Sequence, residues 1–206
     1  MKDIIFYTIL GYLLGTIHFA VIFSKAFKLD GVLEDSPDHN PGVANAYKYG
    51  SFACGTLTLI FDLAKGFVPV MLYFHPRIES GTELSLWSAA VLAAPVIGCL
   101  FPVFRGSRGG KGITVTFGCL LGLLPCFVPL VVLACAFIAF STIIRIRPDF
   151  YKTIFSYTVS AVLTAVFCTI PAVVIGFAVS AASVGLKLLL SGEEKEHLKV
   201  GFGWMS

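Results

Sequence analysis

Long apolar runs separated by short polar segments occupy the whole chain, and the runs set the fold. Residues 4–24, 52–74, 84–104, 113–144, 153–169 and 172–190 are apolar, and polar positions gather in 25–50, 75–83, 105–112, 145–152 and 191–206. The first run holds no Asp, Glu, Lys or Arg and a single histidine, His18. As a helix it rises about 31 Å, enough to cross the hydrocarbon of a bilayer. It is longer than the apolar stretch of a cleavable signal peptide, so it reads as a retained span. The run 113–144 is too long for one crossing and is interrupted by Gly122, Pro125 and Pro129. The pattern predicts a short helix to about Leu121, a turn, and a second helix from about Phe127. Pro95 and Gly98 predict a bend in the third run, and Pro171 marks the turn of a final hairpin.

These segments make seven crossings, an odd number, so the two termini fall on opposite sides. Of 15 Lys and Arg, Lys2 and Arg77 fall outside if the N-terminus is outside, and Lys65 lies within a span. The remaining twelve fall on the cytoplasmic side, which fixes the orientation by the positive-inside rule. The chain is therefore expected to be an all-α integral membrane protein. It forms one polytopic domain over 1–206, a seven-transmembrane-helix bundle with its N-terminus outside and its C-terminus cytoplasmic.

Composition agrees and narrows the choices. The chain of 206 residues is 57% hydrophobic and only 13% charged, with a mean hydropathy of +0.88, where soluble domains carry about 25% charged residues. Net charge is +3, which says little by itself beside its placement on one side, and no nucleic-acid partner is expected. The six cysteines lie almost wholly within apolar runs and form no Cys-x-x-Cys pair, so they read as core or lipid-side fillers, neither disulfides nor metal ligands.

Candidate chemistry sits in three places. Residues 105–112, Arg-Gly-Ser-Arg-Gly-Gly-Lys-Gly, combine Arg105, Arg108 and Lys111 with Gly106, Gly109, Gly110 and Gly112. Such glycines allow positive φ and turn successive N–H groups toward one anion. Gly112 opens the next apolar run, so a helix N-terminus should face the same point. A plain basic loop is the rival reading, and no Gly-x-x-x-x-Gly-Lys-Ser/Thr frame fits. The polar segment 25–50 contains His39-Asn40-Pro41-Gly42-Val43-Ala44-Asn45 and Lys48. Pro37, Pro41 and Gly42 exclude a continuous helix there and favour an ordered loop. Asp62 and Lys65 lie three apart on one helical face inside the second span. They can neutralise each other, and an intramembrane pair of this kind also points to a polar cavity.

With these segments assembled, the chain resembles the bacterial acyl-phosphate:glycerol-3-phosphate acyltransferases, the PlsY family. Gly15-Thr16-Ile17 is similar to that family's Gly-Ser-Ile, and residues 40–45 to its Asn-x-Gly-Ala-Thr-Asn. Asp62-Leu63-Ala64-Lys65-Gly66 resembles Asp-x-x-Lys-Gly, and Phe101-Pro102-Val103-Phe104 followed by Gly109-Gly110-Lys111-Gly112 is the most specific match. The resemblance implies a multi-pass protein of the bacterial inner membrane with a cytoplasmic-side site. It implies transfer of an acyl chain from acyl phosphate to the 1-hydroxyl of glycerol 3-phosphate, giving lysophosphatidate and phosphate, within membrane lipid, by a monomer without cofactor. Asn40, Asn45 and Lys111 are then the expected catalytic residues. Lys48, Lys65, Arg105, Arg108, Gly109, Gly110, Gly112 and Glu194 are the expected substrate-binding residues.

The chain also departs from the family pattern. Asp38-His39 stands for Ser-Gly, Lys48 for Arg, and Gly98-Cys99 for Gly-His. In the last motif Ala182, Gly185 and Leu188 align with His, Asn and Arg, and only Lys187, Gly192 and Glu194 echo it. Two other readings follow from these losses and from the intramembrane pair: a non-catalytic paralogue that binds lipid precursors or scaffolds lipid enzymes, and a small transporter.

Overall fold

The structure, a computed structural model, describes residues 1–29, 36, 39–103, 109–191 and 198–201. Helices account for nearly all of it. The first apolar run is not one rod: α1 (Lys2–Gly15) and α2 (Phe19–Ala26) meet at a bend of 40°. The short helical turn α3 (Val43–Asn45) begins directly after Pro41 and Gly42 and continues as a π turn over Ala46–Gly50. Helix α4 (Phe52–Glu79) is capped by the Ser51 hydroxyl, which accepts from the Cys54 amide at 3.1 Å. It runs 28 residues, beyond the expected end near Phe74, because Arg77 ties its last turns down. That guanidinium donates to the Tyr73 carbonyl and to Asp3, both at 2.7 Å, and lies 4.1 Å from the Tyr73 ring centroid.

Helix α5 (Ala89–Leu100) contains Pro95 and is entered by a 3₁₀ turn at Leu86–Ser88. The long fourth run breaks as expected, into α6 (Ile113–Leu121) and α7 (Val128–Ile138), the latter extended by a π turn at Ala139–Ile143. Helix α8 (Asp149–Phe167) starts inside what the sequence suggests is a basic loop, with Asp149 favourably placed in its first turn, and α9 (Pro171–Leu190) has proline at its first position. One departure from an all-helical chain is a two-residue antiparallel ladder, β1 (Ile146–Arg147) with β2 (Lys199–Val200).

Helices α4, α8 and α9 are long and apolar enough to cross a membrane, and the bent α1–α2 pair passes the same test as one broken span. Leu86–Leu100 and Val128–Ile143 are shorter apolar helices. At nine residues, α6 is about 14 Å long and reaches less than half the hydrocarbon depth.

Glycines decide which helices meet. Gly118 lies on α6 and Gly122 caps its C-terminus, and a Cβ on either would collide with the α4 backbone at Leu63 or Phe67. On α1, Gly15 lies against the Pro95 carbonyl of α5 and Gly11 against the Pro95 ring, while Gly98 receives the Tyr12 carbonyl. With no hydrophobic drive between helices in lipid, such close backbone approach supplies the dispersion contact that holds them. The core enclosed by α4, α5, α6 and α9 includes Val70, Phe74, Leu92, Leu120 and Phe177.

Candidate active site

A cavity of about 440 Å³ lies where the segment 40–45, the start of α6 and the start of α8 converge. Its wall contains Asn40, Asn45, Gly110, Lys111 and Gly112, so five of the residues expected from sequence come together from segments about 65 positions apart. The loop 40–45 is pinned internally: Asn45 Nδ2 donates to the Asn40 carbonyl at 2.9 Å. Asn40 is wedged between two glycines, its amide atoms 3.2 Å from where a Gly42 Cβ would stand and 3.7 Å from where a Gly110 Cβ would stand. His39, at the position where the family pattern has glycine, sits at φ +47°, a conformation that glycine adopts freely and histidine tolerates.

The glycine segment does less turning than its composition suggests. Among its described glycines only Gly112 has positive φ, +73°, and it is the N-cap of α6. Gly109 and Gly110 serve close approach instead: a Cβ would strike the Leu100 carbonyl at the first and come within 3.1 Å of Cys99 Sγ at the second. The Gly110 N–H donates to the Cys99 carbonyl at 2.9 Å, and His18 Nε2 lies 3.3 Å from that same oxygen. On the exit side the Thr116 hydroxyl donates to the Gly112 carbonyl at 2.9 Å and accepts from the buried Tyr157 hydroxyl at 2.9 Å. The backbone around Lys111 is thus held from both ends, and α6 presents its N-terminal donors to the cavity, a ready anion site.

The other expected residues are placed differently. Lys65 does not line the cavity, although Asp62 does. The Lys65 ammonium is buried, 2.7 Å from Asp62 Oδ1, and donates to the Ile17 carbonyl at 2.6 Å. Ile17 lies in the break between α1 and α2, so the pair secures a carbonyl that the bend releases from helical bonding. Lys48 is exposed, its ammonium 4.9 Å from the Tyr49 ring centroid, and does not line the cavity. Gly109 stands beside Lys187 of α9, whose Nζ lies 3.1 Å from where a Cβ at 109 would be and 5.6 Å from the Phe101 ring centroid. Arg105, Arg108 and Glu194 lie outside the described residues.

Sequence reasoning missed Ser141, Asp149, Lys152 and Thr153, which complete the wall from the α7 and α8 side. Lys152 Nζ is 2.7 Å from Asp149 Oδ1. Asp149 and Lys152 carry one faint signal, a spacing that repeats Asp62-x-x-Lys65, and Ser141 and Thr153 carry none. A second, polar groove of about 900 Å³, lined by Ser141, Arg145, Arg147, Asp149, Lys152 and Lys199, adjoins the cavity through Ser141, Asp149 and Lys152. No group of three or more His, Cys, Asp or Glu able to hold a metal ion occurs among the described residues.

The family model described as glycerol-3-phosphate acyltransferase matches residues 5–191. The chain is 43% identical over 122 residues to the glycerol-3-phosphate acyltransferase of Albidiferax ferrireducens, covering 57% of this chain and 52% of that protein. It is 40% identical over 113 residues to that of Pseudoalteromonas translucida, covering 55% and 53%. These matches span about half the length of the relatives. Two crystal structures of PlsY (YgiH), an integral membrane glycerol 3-phosphate acyltransferase, share the fold. The glycerol 3-phosphate form superposes with a TM-score of 0.72 and the lysophosphatidic acid form with 0.68, each at 24% identity over 89% of this chain and 87% of the other. A helical membrane fold, a glycine-lined cavity at the mouth of α6 and a family match over most of its length agree: the chain belongs to the glycerol-3-phosphate acyltransferase family.

Proposed function

We propose that this protein transfers an acyl group from acyl phosphate to the 1-hydroxyl of glycerol 3-phosphate, giving lysophosphatidate and inorganic phosphate. The observation that carries the reading is the convergence of Asn40, Asn45, Gly110, Lys111 and Gly112 on one cavity at the N-terminus of α6. Acyl phosphate is already activated, so positioning and charge stabilisation suffice and no covalent nucleophile on the protein is required. In this reading the hydroxyl oxygen of glycerol 3-phosphate attacks the acyl carbon, the carbon–oxygen bond to phosphate breaks, and the departing phosphate takes up the hydroxyl proton. Lys111 and the α6 amides hold the phosphate whose charge changes, and Asn40 and Asn45 orient the acceptor. Lys152 with the groove beyond it, and Arg105 and Arg108, add positive charge for the second phosphate. Lys187 stands in for the cation missing at Leu188, one position away, since α9 brings its ammonium to Gly109.

The acyl chain has a separate place to lie. An apolar groove of about 780 Å³ between α1, α5 and α9, lined by residues such as Leu13, Ala90, Ala94, Ile97 and Val179, begins near Trp87 and ends near Tyr12. The Tyr12 hydroxyl donates to the Phe101 carbonyl at 2.9 Å, which sets the groove's end at the level of the Phe-Pro motif. The same reading gives seven apolar helices with the cavity and its cations on the cytoplasmic side of a bacterial inner membrane, and a monomer working without metal or cofactor.

A second reading, a paralogue that binds lipid precursors without turnover, is favoured by one place on α9. Ala182 and Gly185 stand where the family pattern has His and Asn, and nothing lies within 4 Å of a Cβ built at Gly185. Growth of a strain lacking its own glycerol-3-phosphate acyltransferase separates the two. Rescue by the wild-type chain and none by Lys111→Ala is the expected result, and no rescue by a well-expressed wild type favours the binding paralogue.

A further inference from the structure

None of the six cysteines is bonded to another in the structure, yet two of them nearly touch: Cys126 Sγ and Cys168 Sγ, 42 residues apart in sequence, are 3.9 Å apart. Both lie in turns. Cys126 stands between α6 and α7, where its amide donates to the Leu123 carbonyl at 2.9 Å, and Cys168 is the C-cap of α8. Both are half-buried.

Their place relative to the cavity decides their chemistry. Helix α6 begins at the cavity with Gly112 and runs away from it to Leu121, and α8 begins at the cavity with Asp149 and Thr153 and runs away from it to Phe167. At 19 residues α8 covers about 28 Å, close to the full hydrocarbon depth. Cys168, the C-cap of α8, therefore lies on the face opposite the cavity, and Cys126, 3.9 Å from it, lies at the same level. If the cavity opens to the cytoplasm, as the proposed function has it, the thiols face the compartment where disulfides form and persist.

We infer that Cys126 and Cys168 form a disulfide on the extracytoplasmic face, tying the α6–α7 turn to the α8–α9 turn. The oxidant is a protein disulfide of the thiol-oxidase class. The thiolate of one cysteine attacks that disulfide to give a mixed disulfide, and the second cysteine then displaces the oxidant. The oxidant leaves as a dithiol, having taken up the two electrons and two protons lost by the pair. Bonded sulfurs stand about 2.05 Å apart, so the two must approach by about 2 Å to form the bond. The bond would close a long loop around α7 and α8, whose opposite ends supply Phe137, Ser141, Asp149, Lys152 and Thr153 to the cavity.

The remaining cysteines provide internal controls. Cys54, Cys99 and Cys119 are buried, and Cys135 is exposed along α7. The test is to trap thiols with N-ethylmaleimide in intact cells that export a disulfide oxidase, then purify the full chain and map peptides by mass spectrometry without reduction. The expected product is a Cys126–Cys168 cross-linked peptide in most molecules, lost in Cys126→Ser and in Cys168→Ser, and lost in a host lacking the oxidase. Wild-type Tm should fall on adding reductant, whereas that of Cys126→Ser should not move. Recovery of both cysteines as alkylated thiols from oxidase-competent cells would overturn the inference. If they then cross-link in purified protein under a chemical oxidant, the proximity is right and the assigned face is wrong. The inference rests on the cytoplasmic placing of the cavity and not on turnover, so a chain that fails to transfer acyl groups can still carry the bond.

Discussion

Lys65 is the residue whose role the structure changes most. Its sequence context, with Gly66 following, suggests an ammonium aimed at a phosphate, but it is committed to Asp62 and to the Ile17 carbonyl at the α1–α2 break. It acts as a clamp, and it reaches the cavity only through Asp62, which lines the wall. Both side chains are nearly inaccessible, at 2% and 7% exposure for Lys65 and Asp62, so removing one leaves the other buried without its counter-charge. Lys65→Met should destabilise the protein by about 3–5 kcal/mol, read as a lowered Tm in detergent. Asp62→Leu with Lys65→Met removes both charges and should recover most of that loss, leaving the Ile17 carbonyl as the residual cost, about 1–3 kcal/mol. If the double variant is stable but no longer binds glycerol 3-phosphate, the Asp62–Lys65 pair serves the ligand as well as the fold. Lys111 is the opposite case: its neighbours in sequence announced an anion site, and its backbone is held at Cys99 on one side and through Thr116 on the other.

At the scale of elements, glycines fix where the cavity can form. Helix α6 carries Gly112 at its start and Gly118 and Gly122 against α4, so the seat of the helix and the position of the anion site are one problem. Gly118→Leu forces a side chain into the Leu63 carbonyl. It should cost about 1–3 kcal/mol or more and displace the α6 N-terminus, so ligand affinity falls together with Tm. Gly185→Ala on α9 is the contrasting case, because open space surrounds the new methyl and a helical glycine costs about 0.5–1 kcal/mol relative to alanine. A raised Tm is expected there, and a lowered one would mean that α9 packs more tightly than the structure has it. Most of the helices were legible in the apolar runs, including the break at 122–127 and the hairpin turn at Pro171, because proline and glycine act locally, but the break between α1 and α2 was not. The extension of α4 to Glu79 was not legible, since it depends on Arg77 meeting Asp3 across 74 positions. Nor were Ser141, Asp149, Lys152 and Thr153 legible as a cavity wall, because their residue types are ordinary for a polar helix end and only tertiary packing brings them to Lys111. The ladder between 146–147 and 199–200 has no signal in so short a pairing.

On the scale of the whole molecule, charge and apolar surface are separated in a way that suits a reaction between a soluble anion and a membrane-borne chain. The polar groove with Arg145, Arg147, Lys152 and Lys199 opens beside the cavity, and the apolar groove lies along α1, α5 and α9. A cationic mouth should raise the encounter rate of a phosphorylated substrate and do so less as salt screens it. Replacing Arg145 and Arg147 together by glutamine should lower kcat/KM for glycerol 3-phosphate about tenfold at low ionic strength, mostly through KM, and flatten its salt dependence. An unchanged salt profile would remove the groove from the account. The central claim, that the cavity at the mouth of α6 transfers an acyl group between two phosphates, is tested most directly by one assay. Purified protein is given radiolabelled glycerol 3-phosphate with acyl phosphate or, separately, acyl-CoA, and the lipid product is counted. The account predicts labelled lysophosphatidate and released phosphate with acyl phosphate, little product with acyl-CoA, and loss of product in Lys111→Ala at unchanged Tm. Folded wild-type protein that makes no lysophosphatidate from acyl phosphate, or Lys111→Ala that makes it at the wild-type rate, would contradict the account.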